Sequence, residues 1–166
     1  MAEENQQPAA GEEQAAQPLF NIEKIYVRDM SLEVPNAPQA FLQRENPQIG
    51  IELQHRASVV DEGIFEAVVT VTVTAKIEDK VLYLVEVAQA GIFQLRNFPD
   101  EAMEGLLGIA CPNILFPYAR EAVSDLVTRA GFMPVLLNPV NFEALYVQQK
   151  QHQMAQQQPP ADGATH

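Results

Sequence analysis

The run Phe65-Glu-Ala-Val-Val-Thr-Val-Thr-Val-Thr-Ala-Lys-Ile77 constrains the fold more than any other stretch of the chain. Val69, Val71, Val73, Ala75 and Ile77 alternate with Thr70, Thr72, Thr74 and Lys76. A period of two in β-branched residues describes a strand with one apolar and one polar face. Wound as a helix, the same residues would scatter the valines around the axis. Glu78-Asp79-Lys80 makes a polar turn, and Val81–Phe93 follows as the hairpin partner. Upstream, Ile49, Ile51, Leu53, Ala57 and Val59 keep the same phase and turn at Asp61-Glu62-Gly63. An earlier strand covers Phe20–Val34. Pro35, Pro38 and Pro47 exclude regular pairing between them, so residues 35–48 read as a long crossover. The spacing predicts an antiparallel meander of residues 49–59, 64–77 and 81–94, with a fourth strand.

From Asp100 the period changes. A helix is expected over Glu101–Ala110 with Asp100 as its cap, and Pro112 and Pro117 are expected to interrupt or restart it. Val123, Leu126, Val127 and Ala130 lie at helical spacing, and Gly131 is a natural stop. Asn141 is placed to cap a last helix with Phe142, Leu145 and Tyr146 on one face. Strands first and helices afterwards describe an α+β fold, a four-stranded antiparallel sheet with helices on one face.

Residues 1–18 contain no aromatic or β-branched residue and are expected to be a disordered tail; 149–166, rich in Gln, are expected to fray out of a helix into a mostly disordered one, and both flank a body at 19–148. Of 166 residues, 22 are acidic and ten basic, a formal net charge of −12. The body keeps 17 acidic residues against nine basic ones, so the acidity belongs mainly to the folded part. That balance argues against nucleic acid or anionic lipid as the main partner and favours a basic protein. No apolar stretch is long enough to span a bilayer, so no direct membrane insertion is expected. The opening MAEENQQPAAGEEQ has neither a positive nor an apolar signal region, and a cytoplasmic setting is expected.

Little in the chain points to catalysis. It holds no phosphate-binding loop, nucleophile elbow, C-x-x-C or H-E-x-x-H pattern, so no catalytic residue, metal or cofactor is expected. His55 alternates with apolar neighbours on a strand and reads as a half-buried structural residue. Cys111, with no cationic neighbour in sequence, reads as an inert buried thiol. Asp61-Glu62 and Glu78-Asp79 are turn residues. Two features stand out instead. Asp29, Glu33, Glu52, Glu66 and Glu86 spread acid across the strands. Phe41, Leu42, Ile92-Phe93, Ile114-Leu-Phe116 and Phe132-Met133 supply apolar groups outside the repeating patterns, for a core, an interface or a peptide groove.

Ile25-Tyr26, Asp29, Ser31, Glu33 and Pro35-Asn-Ala-Pro38 are followed in order by Val71-Thr-Val-Thr-Ala75, Glu86-Val87 and Gly91-Ile-Phe93. Cys111-Pro-Asn-Ile-Leu-Phe-Pro-Tyr-Ala-Arg-Glu121 and Pro139-Val-Asn-Phe142 complete the series. Together they resemble the SecB family of protein-export chaperones over about residues 19–148. The resemblance implies a homotetramer, a dimer of dimers with helices between the sheets. It implies ATP-independent binding of unfolded preproteins, kept competent for export and delivered to the SecA ATPase. It places SecA docking on Asp29, Glu33, Leu84 and Glu86, facing a small basic tail whose zinc belongs to the partner. It places the client groove on Phe41, Ile49, Ile51, Leu53, Leu106, Tyr118 and Phe142. The family's crossover Trp is absent, and Glu45 stands there. The alternatives are a general holdase, with or without a link to a toxin–antitoxin system, a small enzyme using His55 or Cys111, and a purely structural oligomer.

Overall fold

The β-branched run forms the centre of the sheet. In the computed structural model, which describes residues 16–157, β1 (Leu19–Glu33), β2 (Gln48–Asp61), β3 (Ile64–Ile77) and β4 (Lys80–Arg96) pair antiparallel in the order β1-β4-β3-β2. The last three make the expected meander. The proline-containing crossover carries β1 to the far side of β4, and a short 3₁₀ turn over Gln39–Leu42 buries Ala40.

Register assigns the two faces. Val69, Val71 and Val73 stand opposite His55, Leu53 and Ile51 of β2, and opposite Gln89, Val87 and Val85 of β4. This face carries the helices. Asp100–Gly105 (α1) leads through a π-helical segment, Leu106–Ala110, into Cys111–Arg129 (α2). Cys111, Leu115, Ala119, Val123 and Val127 recur every four residues as one buried stripe of α2, packed on Val71, Val73, Val85, Val87 and Phe93. At about 25 cal/mol per Å² of apolar area, this stripe is the main force joining helix to sheet. Gly91 permits the close approach, since a Cβ there would lie 2.8 Å from Phe93 and 3.0 Å from Leu115.

Of the two prolines, Pro112 falls where the helix restarts and Pro117 interrupts nothing. Pro112 sits in the first turn of α2, where a missing N–H is tolerated, and Pro117 lies inside the helix. The wider π-type turns end just before Pro112. Asp100 is not the cap either. Pro99 holds that position, Asp100 and Glu101 lie in the first turn, and the Met103 N–H donates to the Pro99 carbonyl at 2.9 Å. Negative charge still sits at the helix's positive end.

The other helix termini follow their signals. Gly131 adopts φ +89°, its N–H donates to the Thr128 carbonyl, and the Phe132 N–H donates to the Val127 carbonyl. That paired closure turns the chain back and presents Phe132 toward the sheet. Asn141 caps α3 (Phe142–Gln157) by accepting from the Ala144 N–H at 3.0 Å. The helix runs to Gln157, so residues 149–157 form the helical stretch from which the tail was expected to fray. Most of the expected N-terminal tail, 1–15, and residues 158–166 lie outside the described residues.

Candidate functional site

Phe132 is the middle ring of three. Its centroid lies 5.1 Å from Phe41, nearly parallel, and 4.8 Å from Tyr83, tilted by 43°. Phe41 comes from the 3₁₀ turn, Tyr83 from β4, and Phe132 from the turn closing α2. They line an open groove of about 510 Å³ with Ile49, Leu82, Met133 and Val135, while Gln43, Glu45 and Asn46 form its polar rim. Tyr83 is buried, Phe41 is 51% exposed and Met133 84% exposed, so a firm floor supports accessible walls. A second hollow of about 230 Å³ lies further along β2, lined by Ile51, Leu53, Val71, Phe116, Leu137, Pro139 and Val140. Both hollows border β2, whose outer edge pairs with no strand among the described residues.

Of the expected groove residues, the structure brings Phe41 and Ile49 into the larger hollow and Ile51 and Leu53 into the smaller. Leu106 is half-buried against the core in the π segment, and Tyr118 is exposed on α2; neither lines these hollows. Phe142 is placed differently from its expected role. At 1% exposure it is a core residue, edge-on to Phe116 at 5.9 Å and to His55 at 6.0 Å. The burial of Phe142 follows from its position as the first residue of capped α3. Tyr83 and Val135 line this hollow without any mark in the sequence, and Phe132, one of the apolar groups expected in a core, an interface or a groove, is its middle ring. The signal for Phe132 is local: an apolar residue directly after a helix-stopping glycine is the position that packs back.

The other sheet face is open. Asp29, Ser31 and Glu33 project there from β1, and Glu86 and Leu84 stand opposite Ser31 and Glu33. Glu86 also faces Thr72, whose hydroxyl donates to its carboxylate at 3.0 Å. All four expected docking residues thus occupy one patch. Asp29 and Glu33 are exposed, and Leu84 and Glu86 are half-buried. Toward the Gly63 end of this face, Glu66 is only 7% exposed. It accepts from the Tyr26 hydroxyl and from Arg28, whose Nη1 lies 2.5 Å from both carboxylate oxygens; Arg56 lies at 4.0 Å. Burial alone would push this carboxyl up, but Tyr26 and the two guanidiniums hold it below the usual range. The Tyr26 hydroxyl is raised by its bond to Glu66.

The reactive groups are placed as structural ones. Burial pushes the Cys111 thiol up to about 12, far from a thiolate at neutral pH. Burial also lowers His55, which lines a hollow with Glu104, Leu107, Gly108, Tyr146 and Lys150. Lys150 donates to Glu104 across that hollow and lies 5.5 Å from the Tyr146 ring centroid, tying α3 to α1. Among the described residues, no cluster of three or more His, Cys, Asp and Glu is arranged to hold a metal ion. Nor is any helix among them long and apolar enough to cross a membrane. The arrangement suits non-covalent retention of an apolar chain.

Comparison with known proteins agrees with these features. Residues 13–153 match the family described as preprotein translocase subunit SecB. The protein-export protein SecB of Methylobacillus flagellatus is 64% identical over 165 residues, covering 99% of each chain. That of Aromatoleum aromaticum is 65% identical over 138 residues, covering 82% of this chain and 87% of the relative. Among solved structures, the Mycobacterium tuberculosis Rv1957 SecB-like chaperone, in complex with a ChAD peptide from the Rv1956 HigA1 antitoxin, superposes with a TM-score of 0.61. It is 16% identical and covers 73% of this chain and 90% of that one, a likeness of fold.

Proposed function

This chain belongs to the SecB family of protein-export chaperones, and from that membership and the two surfaces above we propose that it holds unfolded preproteins without ATP and passes them to SecA. The observation that carries the reading is the aromatic groove of Phe41, Tyr83 and Phe132 beside an unpaired strand edge. Such a groove binds by apolar burial, and an extended client can add main-chain hydrogen bonds at the edge. Recognition then follows non-native character rather than sequence. No nucleotide is needed, since release comes from SecA competing for the client.

The acidic patch of Asp29, Glu33 and Glu86 around Leu84 is the proposed SecA-docking surface, complementary in sign to a basic tail. The working form is a cytoplasmic homotetramer, a dimer of dimers. Leu19, Ile22, Val27 and Met30 are more than 40% exposed on β1, the other unpaired edge, and assembly would give that edge a partner. Several grooves in one assembly would then hold one long client by effective concentration. The shared fold with a SecB-like chaperone bound to an antitoxin peptide supports a second reading, a general holdase without SecA docking.

Binding of purified SecA to Asp29→Lys and Glu86→Lys variants separates the two. Each substitution should weaken binding at least tenfold at low salt while client holding persists. Undiminished binding would leave the general holdase as the better account.

A further inference from the structure

The open face carries bases as well as acids, and their arrangement is uneven. Asp29, Glu33, Glu86 and Glu52 occupy one half with Lys76 as its one base; Arg28, Arg56 and Lys24 lie toward the other, around Glu66. Glu66, on central β3, takes one arginine from each edge strand: Arg28 of β1 at 2.5 Å and Arg56 of β2 at 4.0 Å.

Arg28 is the critical one. It directly precedes Asp29, and simple alternation would send the two to opposite faces. The register shift between Val27 and Asp29 makes Arg28 an extra residue, so both reach the open face. A free guanidinium there would lie well within a Debye length, about 10 Å at 0.1 M salt, of the neighbouring carboxylate. Paired with Glu66, that charge is offset by a carboxylate of its own. Glu66 stands level with Ile92 and Lys24, while Glu86 stands level with Ser31, so Arg28 is drawn along β1 away from the acidic half. The Tyr26 hydroxyl fixes the Glu66 carboxylate from β1 as well. Burial explains why the clamp holds, since a 7% exposed carboxylate without its partners would be strongly disfavoured.

We propose that Glu66 is a positioning residue for the docking surface: by sequestering Arg28 it leaves Asp29 uncompensated and keeps that half of the sheet negative toward a basic partner. This inference rests on the docking reading above. Glu66 itself touches no partner. Its effect is electrostatic and therefore fades with salt, and it concerns docking only, because Glu66 and Arg28 lie on the face opposite the helices and outside both hollows.

The test is the affinity of the full chain for purified SecA, measured by calorimetry at about 0.05 and 0.5 M NaCl. Glu66→Gln should weaken binding about fivefold at low salt and leave the high-salt value within about twofold, as expected for one rim charge. Removing the released cation should restore it, so Glu66→Gln combined with Arg28→Gln should bind within about twofold of the wild type at low salt. Unchanged binding by folded Glu66→Gln, or failure of the double variant to recover, overturns the proposal. Should the single variant not fold, two double variants decide, Glu66→Gln with Arg28→Gln and Glu66→Gln with Arg28→Lys. Binding about fivefold weaker for the Lys pair than for the Gln pair at low salt supports the proposal, and equal affinity of the two overturns it. Asp29→Lys is the control. If it does not weaken binding, the docking reading falls and this inference with it; if it does while Glu66→Gln does not, only the role of Glu66 falls.

Discussion

Removing the middle ring of the groove should separate client binding from folding. Phe132 stacks between Phe41 and Tyr83, so Phe132→Ala deletes two aromatic pairs at once. Each is worth about 0.5–1.5 kcal/mol beyond the area it buries. The ring is half-buried, and about 80 Å² of lost apolar contact adds about 2 kcal/mol. Together they come to about 3–5 kcal/mol, the usual range for Phe→Ala in a core. Much of this loss is local to residues 131–135 rather than spread over the sheet. For the client, losing about 55 Å² of apolar wall corresponds to about 1.4 kcal/mol, or tenfold in affinity per groove. Phe132→Leu restores most of the apolar area without the ring and should recover most of that affinity. The assay is titration of an unfolded precursor into each variant, with circular dichroism to verify folding. A folded Phe132→Ala variant with wild-type client affinity would refute the assignment of the groove.

Three further outcomes follow from local packing. Gly108→Ala would place a Cβ 2.6 Å from the Tyr146 ring, so α3 should loosen first, seen as faster amide exchange in 142–157 with the β3–β4 core unchanged. His55 has a folded pKa below its ordinary 6.5, so the unfolded chain binds the proton more readily. Stability should therefore fall as pH drops below about 6.5, with Glu104 and Lys150 the charged groups beside the ring, and His55→Gln should flatten that slope in denaturant titrations. Cys111, pushed up to about 12 beneath α2, should resist alkylation in native buffer and react only as fast as the chain opens. Labelling at the rate of a free thiol would contradict that placement.

The alternating valines and threonines made β3 and its meander legible, because burial on one face enforces a period of two. Gly131 and Asn141 marked helix ends for equally local reasons, hydrogen bonds made within a few residues. Pro112 marked the restart of the helix as α2, but Pro117 misled, and the π-type segment before Pro112 is not visible in a pattern of single residues. In β1, two register shifts break the alternation, so the facing of Arg28 and Tyr26 is set by pairing with β4. The positions proposed for docking were legible as motif positions, and the register brings them into one patch. The groove was legible only in part. Phe41 and Ile49 came with the crossover and β2, but Tyr83 reads as an ordinary strand residue until Phe132 folds back over it. Phe142, with the same apolar character, is buried because α3 packs its first turn against Phe116 and His55.

The most direct test of the central claim is the fate of a urea-unfolded precursor diluted into this protein with no nucleotide present. The account predicts that aggregation and refolding are both suppressed at near-stoichiometric tetramer, that Phe132→Ala weakens the protection, and that added SecA takes up the held precursor. Aggregation proceeding unchanged, or protection that requires ATP, would contradict it.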